Sequence, residues 1–166
     1  MAISGQLPAT QTPWDAACAS RNCADGPPSG SPRPGVIEKP VTVEIGGLRV
    51  TPFICYDLRF ANVFWDAAPD TDVYLVPANW PSPRRHHWQT LLVARAIENQ
   101  AYVVGCNRVG TAGDGTEHVG DSRIVSPMGE LLATASGVET IVLADVDAAE
   151  VISTRERLKF LPDRRT

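Results

Sequence analysis

The sequence predicts an α/β fold with a mainly parallel sheet and crossover helices. Two apolar runs, DVYLVPA at 72–78 and AYVVGCN at 101–107, have the length and β-branched content of strands covered on both faces. A helical segment over 84–99 separates them, and a shorter one near 60–68 precedes the first. Strands that alternate with helices usually pair in parallel through crossover connections.

Upstream of these runs the sequence predicts a hairpin. VTVEI at 41–45 reads as a strand, the Gly-Gly pair that follows as a tight turn, and LRVTPFI at 48–54 as the returning strand. Pro52 has no N–H to donate, so one edge of the returning strand should be free near it. Cys55 follows at once and therefore lies between a strand end and the helix near 60–68.

Downstream the chain predicts an antiparallel meander and a closing amphipathic helix over 148–158. The three strands of the meander are DSRIVS (121–126), LLATAS (131–136) and TIVLADV (140–146). His118 is placed in a Gly-rich loop over 110–120. That loop lacks the Gly-Lys-Ser/Thr pattern of a phosphate loop.

Composition limits the function classes. A net charge of −4 over 166 residues argues against nucleic-acid or anionic-membrane partners, and no apolar run is long enough to span a membrane. The cysteines, Cys18, Cys23, Cys55 and Cys106, form no CxxC pair and have no histidine ligand nearby, so we expect no metal and no cofactor. The N-terminus does not resemble a secretory signal, which favours a cytoplasmic location with free thiols.

Residues 1–40 differ in composition from the rest of the chain. Seven of the 14 prolines lie there among few large apolar residues. Such a segment buries too little apolar surface to offset the entropy lost on ordering it. We therefore predict a disordered or aberrant leader over 1–40 and a folded domain over 41–166.

Cys55 is the candidate nucleophile. Backbone N–H groups at a helix start stabilise a thiolate and can hold a developing oxyanion. The alternative is a buried cysteine at a strand end, and Cys106, inside an apolar strand, is expected in the core. A nucleophilic cysteine needs a base. His86 and His87 are candidates of which at most one can point at the thiol, and solvated positions at a helix start are the more common outcome.

The helix predicted over 84–99 carries apolar residues nearly all round it. A surface helix shows one apolar stripe, so this one should be covered on two sides. One side faces its own sheet, and we assign the other to a second copy in a homo-oligomer. The alternative is that neighbouring elements of the same chain cover it.

Four motifs in order resemble the nitrilase superfamily and, within it, the omega-amidase-like carbon–nitrogen hydrolases. They are ICYDLRF (54–60), LVPANWP (75–81), HWQTLLVARAIENQAYVVGCNRVG (87–110) and SPMGE (126–130). The resemblance runs from about Val41 to the end of the chain. It implies a nitrilase-like four-layer αββα sandwich whose N-terminal half is missing here, dimers paired through helices, and hydrolysis of a small amide or nitrile by a Glu–Lys–Cys triad.

The resemblance assigns roles to residues of the first two motifs. Cys55 corresponds to the nucleophile, and the backbone N–H of Tyr56 to an oxyanion donor. The substrate-binding positions are Arg59, Asn79 and Trp80. Arg59 is either structural or meets a substrate carboxylate. The alternative is that Tyr56, Asp57 and Arg59 pair only to fix the turn.

The resemblance assigns no residue of this sequence to the Glu or the Lys of the triad. Lys39 fits the segment after the triad Lys, Glu38 and Glu44 fall in the wrong places, and Asn62 stands where the family often has Glu. Losing a general base costs about 10²–10⁴ in rate, and losing an oxyanion partner about 10²–10³. We therefore expect weak or absent hydrolysis. The alternatives are an inactive scaffold that oligomerises with itself or with relatives, and a redox-sensing thiol at Cys55.

Overall fold

The computed structural model describes residues 40–164, which form one mixed sheet with helices on both faces. The strands are β1 (Val43–Ile45), β2 (Leu48–Pro52), β3 (Val73–Ala78), β4 (Tyr102–Asn107), β5 (Val109–Thr111), β6 (Glu117–Val125) and β7 (Leu131–Ser136), and the helices are α1 (Ala61–Ala67), α2 (Arg85–Asn99) and α3 (Ala148–Leu158). The predicted leader, except for Pro40, lies outside the described residues.

The sheet has a parallel centre and antiparallel edges. Its strand order is β1-β2-β3-β4-β6-β5, with β7 paired to β6. β2, β3 and β4 are parallel, and α1 and α2 lie in the two connections between them. The pairs β1–β2, β4–β6, β5–β6 and β6–β7 are antiparallel. This arrangement confirms the α/β fold with crossover helices that the alternating strands and helices predict.

Two apolar clusters lie on opposite faces of the sheet. The larger packs α1 and α2 against one face and includes Tyr74 and Trp88, both fully buried. The smaller packs Val151 of α3 against Val73 and Tyr102 on the other face. Because neighbouring side chains of a strand point to opposite faces, Val73 and Tyr74 belong to different clusters.

Gly105 allows α2 to approach β4 closely. A Cβ atom at this position would lie 2.5 Å from Leu92 Cδ1 and 2.9 Å from Trp88 Cζ2. Gly105→Ala is therefore expected to lower the free energy of unfolding by about 1–3 kcal/mol through overpacking, measured by urea denaturation. Gly113→Ala is the control, because a Cβ there meets nothing within 4 Å. Equal midpoints for the two variants would contradict this packing.

An ion pair joins the start of α2 to β6. Arg85 Nε and Nη2 donate to the two carboxylate oxygens of Asp121 at 2.8 and 2.9 Å. Burial alone would raise the pKa of Asp121, but hydrogen bonds from Arg85, Ser136 and Gln89 and the charge of Arg85 outweigh it and hold that pKa below its usual range.

The depressed pKa of Asp121 links the free energy of unfolding to pH. The stabilisation of the fold by ionised Asp121 is fully present above the unfolded-state pKa of about 3.9. It is lost as pH falls through the lower pKa of Asp121 in the folded protein. Asp121→Asn should therefore flatten the decline of the urea midpoint below about pH 4. Asp163→Asn, at an exposed position, is the control. A decline as steep as that of the wild type would contradict the prediction.

Two sequence predictions downstream of β4 are wrong. The segment 140–146 forms no strand within the described residues, although its residues alternate between exposed and half-buried positions from Ile141 onwards. A strand exists only with a paired neighbour, which the sequence pattern alone does not supply. The segment 110–120 is not one loop, since β5 and β6 pair as a hairpin, and His118 lies buried within β6.

The prediction that Cys106 lies in the core is also wrong, because its side chain is exposed. Alternation places Cys106 on the face of the smaller cluster, with Tyr102 and Val104. Tyr102 packs with Val151 of α3 at one end of that face, whereas Cys106 lies at the opposite end of β4.

Candidate active site

Cys55 begins a short 3₁₀ helix, Cys55–Arg59, soon after β2 ends. Its φ is +44°, in the left-handed region that residues other than glycine rarely adopt. The Ile54 N–H donates to Asp57 Oδ2 at 2.9 Å, and the Asp57 N–H donates to the Ile54 carbonyl at 3.0 Å. The thiol therefore stands on a strained strand-to-helix turn, which is the geometry of a nucleophile elbow.

Arg95 of α2 holds this turn in place through hydrogen bonds. Its side chain is buried, and its Nε and Nη2 both donate to the Leu58 carbonyl, at 3.1 and 2.8 Å. A third nitrogen, Nη1, donates to Glu98 at 2.8 Å. Arg95 was not among the site residues predicted from the sequence. The available signal was an arginine on the otherwise apolar side of the helix over 84–99.

Removing the Arg95 side chain should loosen the turn that carries Cys55. Arg95→Ala leaves the buried Leu58 carbonyl without its charged donor, so we expect a loss of about 2–3 kcal/mol in the free energy of unfolding. Alkylation of Cys55 by iodoacetamide should slow as well. Arg157→Ala, at an exposed position on α3, is the control. Urea midpoints that move equally in both variants would refute the anchoring role.

The structure brings three of the predicted site residues together. The guanidinium carbon of Arg59 lies 4.6 Å from the centre of the Trp80 ring and 6.0 Å from that of Tyr56. Trp80 is 2% exposed, so its ring supports Arg59 from behind. Asn79, the fifth predicted residue, is exposed directly after β3.

Asn107 holds the loop that contains Asn79 and Trp80. Its Oδ1 accepts from the Trp80 N–H at 2.7 Å, and its Nδ2 donates to the carbonyls of Trp80 at 3.1 Å and Gly120 at 2.7 Å. The Trp80 Nε1 donates to the Arg84 carbonyl at 2.8 Å. These contacts join the ends of β3 and β4 to the start of α2. Asn107 was not among the predicted site residues, although it is the polar end of an apolar strand.

Arg84 brings a second guanidinium to the site. Burial lowers the pKa of Arg84, the positive charge of Arg59 lowers it further, and interaction with Cys55 opposes both effects. The thiol therefore lies within the electrostatic range of Arg84.

An open cleft of about 280 Å³ lies beside Arg59. Its lining residues are Arg59, His86, His87, Thr90 and Leu91. Both histidines are exposed, and Cys55 is not part of the lining. The histidines thus face the cleft at the start of α2.

Residues 40–164 offer neither a metal site nor a membrane span. No group of three or more His, Cys, Asp or Glu side chains is arranged to hold a metal ion in this part of the chain. No helix within the same residues is long and apolar enough to cross a bilayer.

Comparison with known sequences gives consistent matches. A model of the carbon–nitrogen hydrolase family matches residues 21–156, and so begins upstream of the boundary predicted at residue 40. The omega-amidase YafV of Escherichia coli is 51% identical over 124 residues, which cover 74% of this chain and 48% of that protein. The chain therefore spans about half the length of this relative.

Solved structures of similar proteins share the fold. A carbon–nitrogen hydrolase superfamily protein from Xanthomonas campestris, with an arsenic adduct in its active site, gives a TM-score of 0.72 at 35% identity, covering 78% of this chain and 51% of that one. An amidase variant from a Nesterenkonia species gives 0.66 at 27% identity, covering 77% and 45%. In that variant glutamine replaces a glutamate, and the acetamide moiety of fluoroacetamide is covalently added at the active-site cysteine.

Proposed function

Because the chain belongs to the carbon–nitrogen hydrolase family, we propose that it hydrolyses a small carboxamide through a thioester on Cys55. The observation that carries this proposal is the strained turn with Cys55 at φ +44°. The sulfur attacks the amide carbonyl carbon, the C–S bond forms, and the C–N bond breaks as ammonia leaves with the thiol proton. Water then hydrolyses the thioester, which releases the carboxylic acid and restores the thiol.

Residues around Cys55 supply the other parts of the proposed chemistry. The backbone N–H of Tyr56 is the oxyanion donor, since it follows the nucleophile directly. Arg59, placed over the Trp80 ring, meets a carboxylate of the substrate. Asn79 is available to the substrate at the end of β3, and Trp80 acts by holding Arg59.

We propose that turnover by this chain is weak, and complete loss of turnover belongs to the alternative function given below. The sequence assigns no residue to the Glu and the Lys of the family triad, and together these contribute on the order of 10⁴-fold or more to the rate. A single covalent reaction of the cysteine requires less of the triad than repeated turnover does. Support comes from the Nesterenkonia variant, whose cysteine carries the acetamide group although a glutamate has been replaced.

We propose that the protein is cytoplasmic and forms a homo-oligomer through α2, without nucleic-acid or membrane partners. The sheet-facing side of α2 is buried through Trp88, Leu92 and Ala96. On other sides Ile97 is 44% exposed and Leu91 is half-buried. Covering these apolar side chains favours association.

The hydrolase proposal is tested by trapping the thioester. Incubation of the chain with a small carboxamide and hydroxylamine is expected to yield the hydroxamate together with ammonia, because hydroxylamine attacks an acyl-cysteine faster than water does. If neither product forms above the protein-free control, the hydrolase proposal fails.

The alternative function is a catalytically inactive scaffold. It predicts that Cys55→Ala leaves the oligomeric mass unchanged in light scattering while the wild type forms no hydroxamate. Monomers in both forms would reject the scaffold. Hydroxamate formation by the wild type would reject it in favour of the hydrolase.

A further inference from the structure

The open cleft between the 3₁₀ helix and the start of α2 gathers side chains that donate hydrogen bonds. It has a volume of about 280 Å³. The 3₁₀ helix contributes Arg59, and α2 contributes His86, His87, Thr90 and Leu91. His86 and Thr90 are four residues apart on α2, as are His87 and Leu91, so each pair shares one side of the helix. We call this space the α2 cleft.

The nitrogen donors of the α2 cleft have no acceptor within residues 40–164. Arg59 contacts the rings of Trp80 and Tyr56 but has no hydrogen bond or ion pair in this part of the chain. The side chains of His86 and His87 have none there either. Several other arginines do donate to carboxylate or carbonyl oxygens, namely Arg49, Arg85, Arg95 and Arg155. Polar groups that converge on a cleft without partners are typical of a binding site.

The α2 cleft is positive in a chain whose net charge is −4. None of its lining residues is acidic. A second guanidinium, that of Arg84, lies near Arg59: burial lowers the pKa of Arg84, and the positive charge of Arg59 lowers it further. The two guanidinium groups therefore repel each other, and an anion bound beside Arg59 relieves that repulsion.

Arg59 is held in place before a ligand binds. Its guanidinium carbon lies 4.6 Å from the centre of the Trp80 ring, and Trp80 is 2% exposed. Stacking occupies the flat face of a guanidinium and leaves the N–H donors at its edge. A donor fixed in this way loses little conformational entropy on binding. Because a guanidinium has five N–H donors, Arg59 can serve the α2 cleft through one edge and the proposed substrate carboxylate through another.

We propose that the α2 cleft binds a phosphoryl group, either of free phosphate or of a small phosphate monoester. One guanidinium satisfies a carboxylate through two parallel hydrogen bonds, whereas a phosphoryl group has three terminal oxygens that accept further donors. His86 and His87 each donate from at least one ring nitrogen in either protonation state, and Thr90 adds a hydroxyl. Leu91 offers an apolar contact to the organic part of an ester. The binding goes beyond the chemistry proposed for Cys55, which does not line the cleft.

The test is titration of the full chain with inorganic phosphate and with methyl phosphate, followed by calorimetry at physiological ionic strength. We expect one site per chain with a dissociation constant below about 1 mM for the better of the two ligands. Acetate should bind at least about tenfold more weakly. Tighter binding of methyl phosphate would identify an ester as the preferred form, and tighter binding of inorganic phosphate would identify the free anion.

Substitutions in the α2 cleft test its position. His87→Ala, at an exposed position, should weaken phosphate binding at least about fivefold, and Arg59→Gln at least about tenfold, because each removes a hydrogen bond to a charged group. Arg157→Gln is the control for Arg59→Gln, since it removes one positive charge from an exposed position on α3. It should leave phosphate binding unchanged.

Four outcomes would overturn the proposal. They are the absence of saturable binding by either phosphate compound, equally tight binding of acetate, binding that neither His87→Ala nor Arg59→Gln weakens, and loss of phosphate binding in Cys55→Ala, which would place the anion at the thiol instead. Hydroxamate formation is measured separately. Phosphate binding without hydroxamate formation supports this proposal and contradicts the hydrolase proposal, and hydroxamate formation without phosphate binding does the reverse.

Discussion

Replacing Cys55 with alanine is expected to abolish hydroxamate and ammonia formation from a small carboxamide. In the proposed reaction the sulfur carries the acyl group, so no other group of the site can take its place. Without the nucleophile no thioester can form, so the signal should fall to the uncatalysed background. The rates are compared at equal protein concentration by detecting hydroxamate and ammonia.

Cys106→Ala is the matched control for Cys55→Ala. Cys106 is exposed, whereas Cys55 is half-buried on the strained turn. Cys106 lies within β4 and not on a turn or at a helix start. Its replacement should leave the rate of hydroxamate formation at the wild-type value. A rate that depends on Cys106 and not on Cys55 would place the reaction elsewhere.

Trp88→Ala is expected to cause the largest loss of stability among the substitutions considered. Trp88 is fully buried, its ring centre lies 5.6 Å from that of Trp80, and its Nε1 donates to the Asp121 carbonyl at 2.9 Å. A cavity at this position should lower the free energy of unfolding by about 3–5 kcal/mol, measured by urea denaturation.

Trp65→Ala is the matched control for Trp88→Ala, since Trp65 is 39% exposed on α1. The substitution removes the same kind of side chain from a partly exposed position, so it should lower the free energy of unfolding much less. Similar urea midpoints for the two variants would contradict the central packing role of Trp88.

The local parts of the fold were predictable from the sequence. The helix predicted over 148–158 has the bounds of α3, and its first turn begins with a cap from Asp147, whose Oδ1 accepts from the Ala149 N–H at 2.9 Å. The apolar run at 72–78 contains β3. The structural match at 35% identity confirms the predicted nitrilase-like α/β fold. Each of these features depends on residues close in sequence or on motifs in order.

The wrong predictions concern features that depend on distant parts of the chain. The segment 140–146 has the pattern of a strand but lacks a neighbour with which to pair. Cys106 lies in an apolar strand like those of a core. However, α3 covers only the opposite end of that strand, at Tyr102, so the Cys106 side chain is exposed. Burial of a strand face is set by what packs on it, which the strand's own sequence does not specify.

The candidate site was predictable in place but not in geometry. The position of Cys55 between a strand and a helix follows from the sequence pattern. The hydrogen bonds from Arg95 to the Leu58 carbonyl form only when α2 packs against the turn, and the φ of +44° at Cys55 is a backbone conformation that the sequence pattern does not specify. The contact between Arg59 and Trp80 likewise joins two segments separated by β3.

The central claim is that Cys55 is the reactive nucleophile of this chain. The most direct test is incubation with fluoroacetamide, followed by mass spectrometry of the proteolytic peptides. The sulfur displaces fluoride as the S–C bond forms, so we predict an added acetamide group on the peptide that contains Cys55 and none on the peptide that contains Cys106. An unmodified Cys55, or equal modification of the two cysteines, would contradict the account.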